Sequence, residues 1–334
     1  MILVTGATGL IGARLLFDLT SAGKNVRAMR HSNSSMTIVN NIFASNGNND
    51  LLKRIEWVKG DINEVYSILE AMKGIKQVYH CAALVSFTPA DYKQMMHVNV
   101  QGTANMVNMA LETGIEKFCH VSSVAAIGRS EEDNHIAETS PWKTSKQNSN
   151  YAISKYEAEC EVWRAAEEGL NTIIVNPSMV LGPGDMHKGS TELFGGVWKG
   201  LKFYSEGING FVDVRDVTKS MMQLMESNIT NQRYIISAEN ISYRDLFFEM
   251  ADAFNKARPS IKVNTWMSEL IWRIEAFRTF FTRGKPFITK ETAQNSQYQW
   301  FYSNEKIRKA IGIDFIPVRQ SIRYNCKVLL QVTK

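Results

Sequence analysis

Over roughly the first 180 positions, apolar residues follow two alternating rhythms. Short dense runs at 2–4, 26–29, 55–58, 77–83, 118–122 and 172–176 read as buried strands. Between them, apolar residues recur at helical spacing, as in Leu10, Ile11, Leu15, Leu16 and Leu19. The spacing predicts helices over 10–22, 65–72, 91–113 and 149–168, and Gly74, Gly114 and Gly169 stand where helices should stop. Strict alternation of strand and helix implies right-handed crossovers. The expected fold class is α/β, a doubly wound parallel sheet with helices on both faces. Such sheets bind ligands at the carboxyl ends of their strands, near the reversal of strand order.

The rhythm weakens in two places. Residues 32–50 are rich in Asn and Ser around Met36, Ile38, Val39, Ile42 and Phe43, and read as an insertion containing a helix. Beyond Pro177 a Gly-rich stretch (182–210) leads into a region, from 241 onward, expected to be mainly helical. This divides the chain into a nucleotide-binding domain, 1–181 with 211–237 packing back on it, and a smaller C-terminal substrate lobe, 182–210 and 238–334.

The first turn, Thr5-Gly6-Ala7-Thr8-Gly9-Leu10-Ile11-Gly12, places three glycines between a strand and a helix. Gly6 permits a sharp turn, Gly9 a close approach to a pyrophosphate, and Gly12 tight helix packing. The helix start offers unpaired amides and a positive dipole end to phosphates. Gly6, Thr8, Gly9, Leu10, Ile11 and Gly12 are therefore candidate cofactor contacts. At the end of the second strand, an acid would hold a ribose 2′-hydroxyl. The chain has Arg27-Ala28-Met29-Arg30 there, without an acid, so Arg30 is the candidate for a 2′-phosphate and NADP(H) is expected over NAD(H). Asp61, with Ile62 beside it, follows the third strand and suits either an adenine contact or a helix cap. Ala82 and Ala83 are small residues against which a nucleotide can lie.

Tyr151-Ala152-Ile153-Ser154-Lys155 puts a phenol and an ammonium four residues apart, on one face of a predicted helix. A phenol is a poor acid or base at neutral pH, and a nearby cation favours its ionised form. The same spacing recurs at Tyr302 and Lys306, outside the alternating region, where a surface helix is expected. His120-Val121-Ser122-Ser123 ends the fifth strand, and a serine there can donate to a substrate oxygen. Ser123 is the first candidate and Ser122 the second.

Together, TGATGLIG, Asp61, HCAA, HVNVQGT, HVSS, YAISK and NPSMVLGPGD resemble the extended branch of the short-chain dehydrogenase/reductase superfamily, the NAD-dependent epimerase/dehydratase family. The pattern is most similar to dihydroflavonol-reductase-like and 3β-hydroxysteroid-dehydrogenase-like members. The resemblance implies a Rossmann domain, a Ser123–Tyr151–Lys155 triad, a supporting role for Asn99 beside the active-site helix and cofactor, and backbone around Pro177 to Val180 facing the nicotinamide. It implies hydride transfer between nicotinamide and a carbonyl or secondary alcohol. The alternative is a nucleotide-sugar epimerase or dehydratase with tightly held cofactor.

Composition narrows the partners. A net charge of +5 without basic runs does not suggest nucleic acid. The cysteines Cys81, Cys119, Cys160 and Cys326 are scattered, and no His or Cys pair has metal-ligand spacing, so free thiols, no metal and a cytoplasmic location are expected. The N-terminal run has no signal-peptide pattern, and no apolar stretch reaches the roughly 20 residues of a spanning helix. Met267, Leu270, Ile271, Ile274, Phe277 and Phe281 recur at helical spacing among charges, which suits a wall of an apolar substrate pocket better than an interfacial helix. The substrate is expected to be a small molecule with an apolar portion. The long helices at 91–113 and 149–168 offer a homodimer interface.

Overall fold

The strands most deeply buried on both faces belong to one parallel sheet. The computed structural model describes residues 1–129, 134–145, 148–264, 266–270, 272–273, 293 and 296–332. Its main sheet uses β1 (Ile2–Thr5), β2 (Val26–Arg30), β3 (Ile55–Lys59), β4 (Gln77–His80), β5 (Lys117–Val121), β7 (Thr172–Pro177) and β11 (Gln232–Ile236). The order is β3-β2-β1-β4-β5-β7-β11, and every pairing is parallel. Strand order therefore reverses between β1 and β4, where Val4 pairs with Ala28 on one side and Tyr79 on the other. This is the Rossmann arrangement, and it puts the ligand crevice above the ends of those two strands.

Each face is covered by helices whose apolar stripes match the sheet. On one face lie α1 (Leu10–Ser21), α2 (Thr37–Ser45) and α8 (Val214–Glu226), meeting through Leu15, Leu16, Ile42, Val217 and Met221. On the other lie α3 (Val65–Met72), α5 (Gly102–Glu112) and α6 (Asn150–Glu167), meeting through Ile68, Met72, Met106, Val107 and Val162. Burying each such side chain contributes about 1.5–3 kcal/mol. Lys117 shows how a buried lysine is tolerated: its Nζ donates to the carbonyls of Leu224 (2.8 Å) and Ser227 (2.7 Å), capping the end of α8.

The second lobe is built on β8 (Met179–Leu181), β10 (Ile208–Asp213) and β12 (Glu239–Ser242), with α7 (Glu192–Trp198), α9 (Tyr243–Ala253) and the C-terminal helix Val318–Val332 around Phe194, Phe211, Leu246 and Ile322. Two short ribbons add to it, β9 (Phe203–Tyr204) with β13 (Ile261–Lys262), and β6 (His135–Ile136) with β14 (Phe301–Tyr302). The lobe is thus more strand-bearing than its pattern predicts. Tyr302 in particular lies in a buried strand, not on a surface helix. The aromatic run from Tyr298 to Tyr302 favours a pleated, half-buried surface over a helix.

Two element boundaries also differ from the sequence reading. The fourth strand stops at His80, because Cys81 and Ala82 pack their backbone against the Gly6 turn. The helix expected over 91–113 is interrupted. α4 (Tyr92–Met96) is followed by a π turn, His97–Gln101, before α5 begins. Such turns commonly mark functional sites. No helix among the described residues is long and apolar enough to cross a membrane. Cys119 and Cys326 are buried, Cys81 half-buried and Cys160 exposed, all as free thiols. Of the 266–285 segment, Trp266 and Leu270 are exposed, while Ile271, Ile274, Phe277 and Phe281 lie outside the described residues.

Candidate active site

The glycine turn comes first. Gly6 has φ +61°, and a Cβ there would sit 2.5 Å from Ala82 N; a Cβ on Gly12 would sit 2.2 Å from Gly6 O. Both positions therefore exclude any side chain, for reasons internal to the fold. Gly9 differs: its nearest neighbour, Gly6 O, is 3.4 Å away and the residue is exposed. Gly9 is the N-cap of α1 and no side chain caps the helix. The first backbone bond of the helix is Ala13 N to Gly9 O (2.8 Å), so the amides of Leu10, Ile11 and Gly12 precede it without an intrahelical acceptor. An open, uncapped helix start beside half-buried Thr8 fits a pyrophosphate.

Beside the glycine turn, Arg30 closes β2 with its guanidinium 5.8 Å from the Trp57 ring centroid. Asp61 turns back on its own chain: Asn63 donates to Oδ1 from both its backbone (2.9 Å) and its side chain (3.0 Å). The helix that follows is capped at Glu64, so Asp61 forms a turn and is not the helix cap. Its Oδ2 is 3.9 Å from His31 Nε2. Ile62 is buried against Gly102, Ala82 is half-buried over the Gly6 turn, and Ala83 is exposed.

At the centre, three elements converge. Ser123 follows β5, and its Oγ accepts from Ala125 N (3.1 Å). Tyr151 opens α6, whose N-cap Ser149 accepts from Ala152 N (2.9 Å). Burial pushes the Tyr151 phenol up, and the Ser123 side chain beside it pulls it down. Lys155, 2% exposed, sits one turn further along α6. Its Nζ donates to Val121 O at the end of β5 (2.8 Å). Burial lowers its pKa to about 8, against upward pulls from Glu159 and Cys81. The chain thus brings Ser123, Tyr151 and Lys155 to one edge of the sheet, with the ammonium anchored on the strand end.

Asn99 explains the π turn. Its Oδ1 accepts from Leu84 N (2.7 Å), and its Nδ2 donates to Leu84 O (2.9 Å) and to Ser154 Oγ (3.0 Å). Ser154 in turn donates to Tyr151 O (2.8 Å). One side chain thereby clamps the segment after β4 to the helix of Tyr151. The fully buried His80 lies beneath, between Thr5 Oγ1 (2.7 Å) and Thr103 Oγ1 (3.1 Å); burial, then Lys155, lowers it to about 3. Pro177 ends β7, and Val180 in β8 pairs with Val212.

The model of the NAD dependent epimerase/dehydratase family matches residues 2–237. The chain belongs to that family. Among curated proteins it is similar to a putative dihydroflavonol 4-reductase of Synechocystis sp., at 28% identity over 96% of this chain and 91% of that protein. It is similar also to the UDP-glucose 4-epimerase of Vibrio cholerae, at 25% identity over 82% and 81%. Among solved structures, gox2253 superposes with a TM-score of 0.82 at 29% identity, covering 99% of this chain and 98% of that one. The family is that of the extended short-chain dehydrogenases/reductases, and its members include both reductases and epimerases.

Three further residues belong to this neighbourhood, and sequence reasoning assigned none of them an individual role. Phe87 packs edge-on to the Tyr151 ring (centroids 5.8 Å apart) and is 37% exposed. Asn176 donates to Ser123 O (3.0 Å). Glu159 is buried one turn beyond Lys155. The i+4 spacing of Lys155 and Glu159 was a visible signal; Asn176 stands in NPSMVLGPGD and Phe87 in the 84–88 stretch expected to line the substrate pocket, but no sequence pattern assigned either residue its contact.

Proposed function

We propose that the chain is an NADP(H)-dependent oxidoreductase acting on the carbonyl or secondary alcohol of a small molecule with an apolar portion. The observation that carries this reading is the meeting of Ser123, Tyr151 and Lys155 at the carboxyl edge of the sheet. When bound, a reduced nicotinamide supplies a hydride to the carbonyl carbon. Tyr151 gives its proton to the carbonyl oxygen, so that the C=O bond becomes an alcohol and a phenolate remains until solvent reprotonates it. Ser123 Oγ, held by Ala125 N, orients that oxygen. Lys155, one helical turn on from Tyr151, would supply the cation that favours the phenol's ionisation. Gly6, Thr8, Gly9, Leu10, Ile11 and Gly12 would hold the pyrophosphate. Asp61, Ile62, Ala82 and Ala83 would line the adenosine side, and Asn99, Pro177 and Val180 the nicotinamide side.

An apolar substrate is supported by Phe87 (37% exposed) and Val85 (50% exposed) on the segment leading away from β4, with Phe87 against Tyr151. NADP(H) is supported by Arg30, since β2 ends without an acid. The resemblance to a putative dihydroflavonol 4-reductase favours net reduction over epimerisation.

The test is a panel of apolar aldehydes and ketones with NADPH or NADH, followed at 340 nm, alongside nucleotide sugars assayed for epimerisation. Net NADPH consumption is expected. Epimerisation with retained cofactor and no net oxidation would overturn the reading. Arg30→Asp should lower the preference for NADPH over NADH by roughly 10–100-fold, the value of a hydrogen bond to a charged group. An unchanged preference would remove Arg30 from the cofactor site.

A further inference from the structure

Behind the triad lies a buried charge that the chemistry above does not use. Glu159 is 1% exposed, on α6, one helical turn after Lys155. An isolated carboxylate is costly to bury and must be paired or hydrogen-bonded. Here Oε1 accepts from Asn176 Nδ2, and Oε2 is 3.4 Å from Arg233 Nη1 of β11. Arg233 is itself held from the far side, donating to Glu138 O through Nε (2.9 Å).

The other contacts of this network all reach the strand end that carries Ser123. Asn176 Nδ2 donates to Ser123 O (3.0 Å) as well as to Glu159. Ser122 N donates to Val175 O (2.8 Å). Lys155 Nζ donates to Val121 O (2.8 Å). Both carbonyls flanking Ser122 are therefore fixed by side chains, one from Lys155 and one from the residue that Glu159 holds.

We propose that Glu159 is a positioning residue for the site: through Asn176 it fixes the backbone of Ser123, and as the buried acid one turn away it is the counter-charge of Lys155. The proposal rests on the oxidoreductase reading above. Other ionisable groups face this pair. Around Lys155 they are His80 of β4, His120 of β5 and Cys81 just beyond β4. Burial keeps both histidines neutral and pushes the Cys81 thiol up to about 12; it also raises Glu159, against downward pulls from the Ser122 side chain, Arg233 and Asn176, and Glu159 is the acid left to oppose the ammonium. Around Glu159 they are Arg233, then Tyr156 and Cys160 of its own helix. Beyond Arg233 stand Glu138 and Lys306, whose Nζ donates to Arg233 O (2.9 Å).

The experiment titrates the Lys155 ¹⁵N-ζ resonance, assigned by its absence in Lys155→Met, in wild type, Glu159→Gln and Glu159→Asp. The Gln variant keeps an acceptor for Asn176 and removes the charge. Its Lys155 midpoint should fall by roughly one pH unit, the effect of losing one nearby opposite charge, while Glu159→Asp stays near wild type. The alkaline limb of NADPH-dependent carbonyl reduction should move to lower pH in step. A wild-type midpoint in folded Glu159→Gln, with NADPH binding intact, would overturn the proposal. Should that variant not fold, the wild type decides: the Glu159 carboxyl ¹³C resonance should carry an inflection at the Lys155 midpoint, and a curve without it refutes the coupling. Neither titration needs turnover. Absent reductase activity would defeat the functional reading alone, and uncoupled titrations in an active enzyme would defeat this proposal alone.

Discussion

Two segments of the chain carry a tyrosine followed four residues later by a lysine, and they end in different places. Tyr151 and Lys155 lie in the first two turns of one helix, and both side chains reach the end of β5. Tyr302 ends a strand and Lys306 belongs to the following helix, Glu305–Ile311. The Tyr302 hydroxyl accepts from Arg129 Nη2 (3.0 Å), while Lys306 Nζ donates to Gln232 Oε1 (2.7 Å) and Arg233 O (2.9 Å). The same spacing converges in one case and diverges in the other. A four-residue interval pairs side chains only where the backbone between them is helical. Even then, what matters is the surface onto which that helix face is pressed.

The comparison breaks first on turnover. Tyr151→Phe should lower carbonyl reduction by about 10²–10⁴-fold, the usual value of a positioned acid, with NADPH affinity retained. Tyr302→Phe should leave the rate within a few-fold. Equal losses in the two variants, measured at saturating NADPH, would mean that the helix does not distinguish them.

Stability against pH separates the lysines. The folded chain holds Lys155 at about 8 and an exposed lysine titrates near 10.5, so between these values the unfolded chain binds a proton that the folded chain does not. Stability from this group must then rise with pH across that window, by on the order of 3 kcal/mol. Urea midpoints from pH 7.5 to 10 should show this rise in wild type and lose it in Lys155→Met. Lys306 is also lowered by burial, but two acceptors outside the catalytic edge hold it and it is only partly covered. Lys306→Met should flatten the same curve much less.

Below these come effects that separate stability from ligand binding. Tyr302→Phe removes an acceptor from a half-buried guanidinium and should cost about 1–3 kcal/mol in denaturant melts. The glycine turn offers a parallel contrast. Gly12→Ala should destabilise the fold, because its Cβ would meet Gly6 O at 2.2 Å. Gly9→Ala meets only a 3.4 Å neighbour and should weaken NADPH binding with the melting temperature nearly unchanged. Loss of folding in both would erase the distinction between a glycine the turn needs and one the ligand needs.

Much of this was readable before any coordinates. Periodicity placed the first six strands of the main sheet and the helices between them, but neither β11 nor α8, because a sheet buried on both faces demands apolar runs and its covering helices demand apolar stripes. It failed where tertiary contacts outvote local pattern. The helix at 91–113 breaks because Asn99 has to reach both Leu84 and Ser154, and a π turn is what aims it. The run ending at Tyr302 becomes a strand because β6 is there to pair with it.

The linear chain determined the sheet order's ingredients, the glycine turn and the Tyr151–Lys155 pair, since each depends on residues close in sequence. Only the folded structure decided that Lys155 rests on Val121 O, that Phe87 meets Tyr151, and that Glu159, Asn176 and Arg233 form one buried network behind Ser123. Those contacts join residues from different crossovers, and their energies depend on burial, which no local spacing encodes.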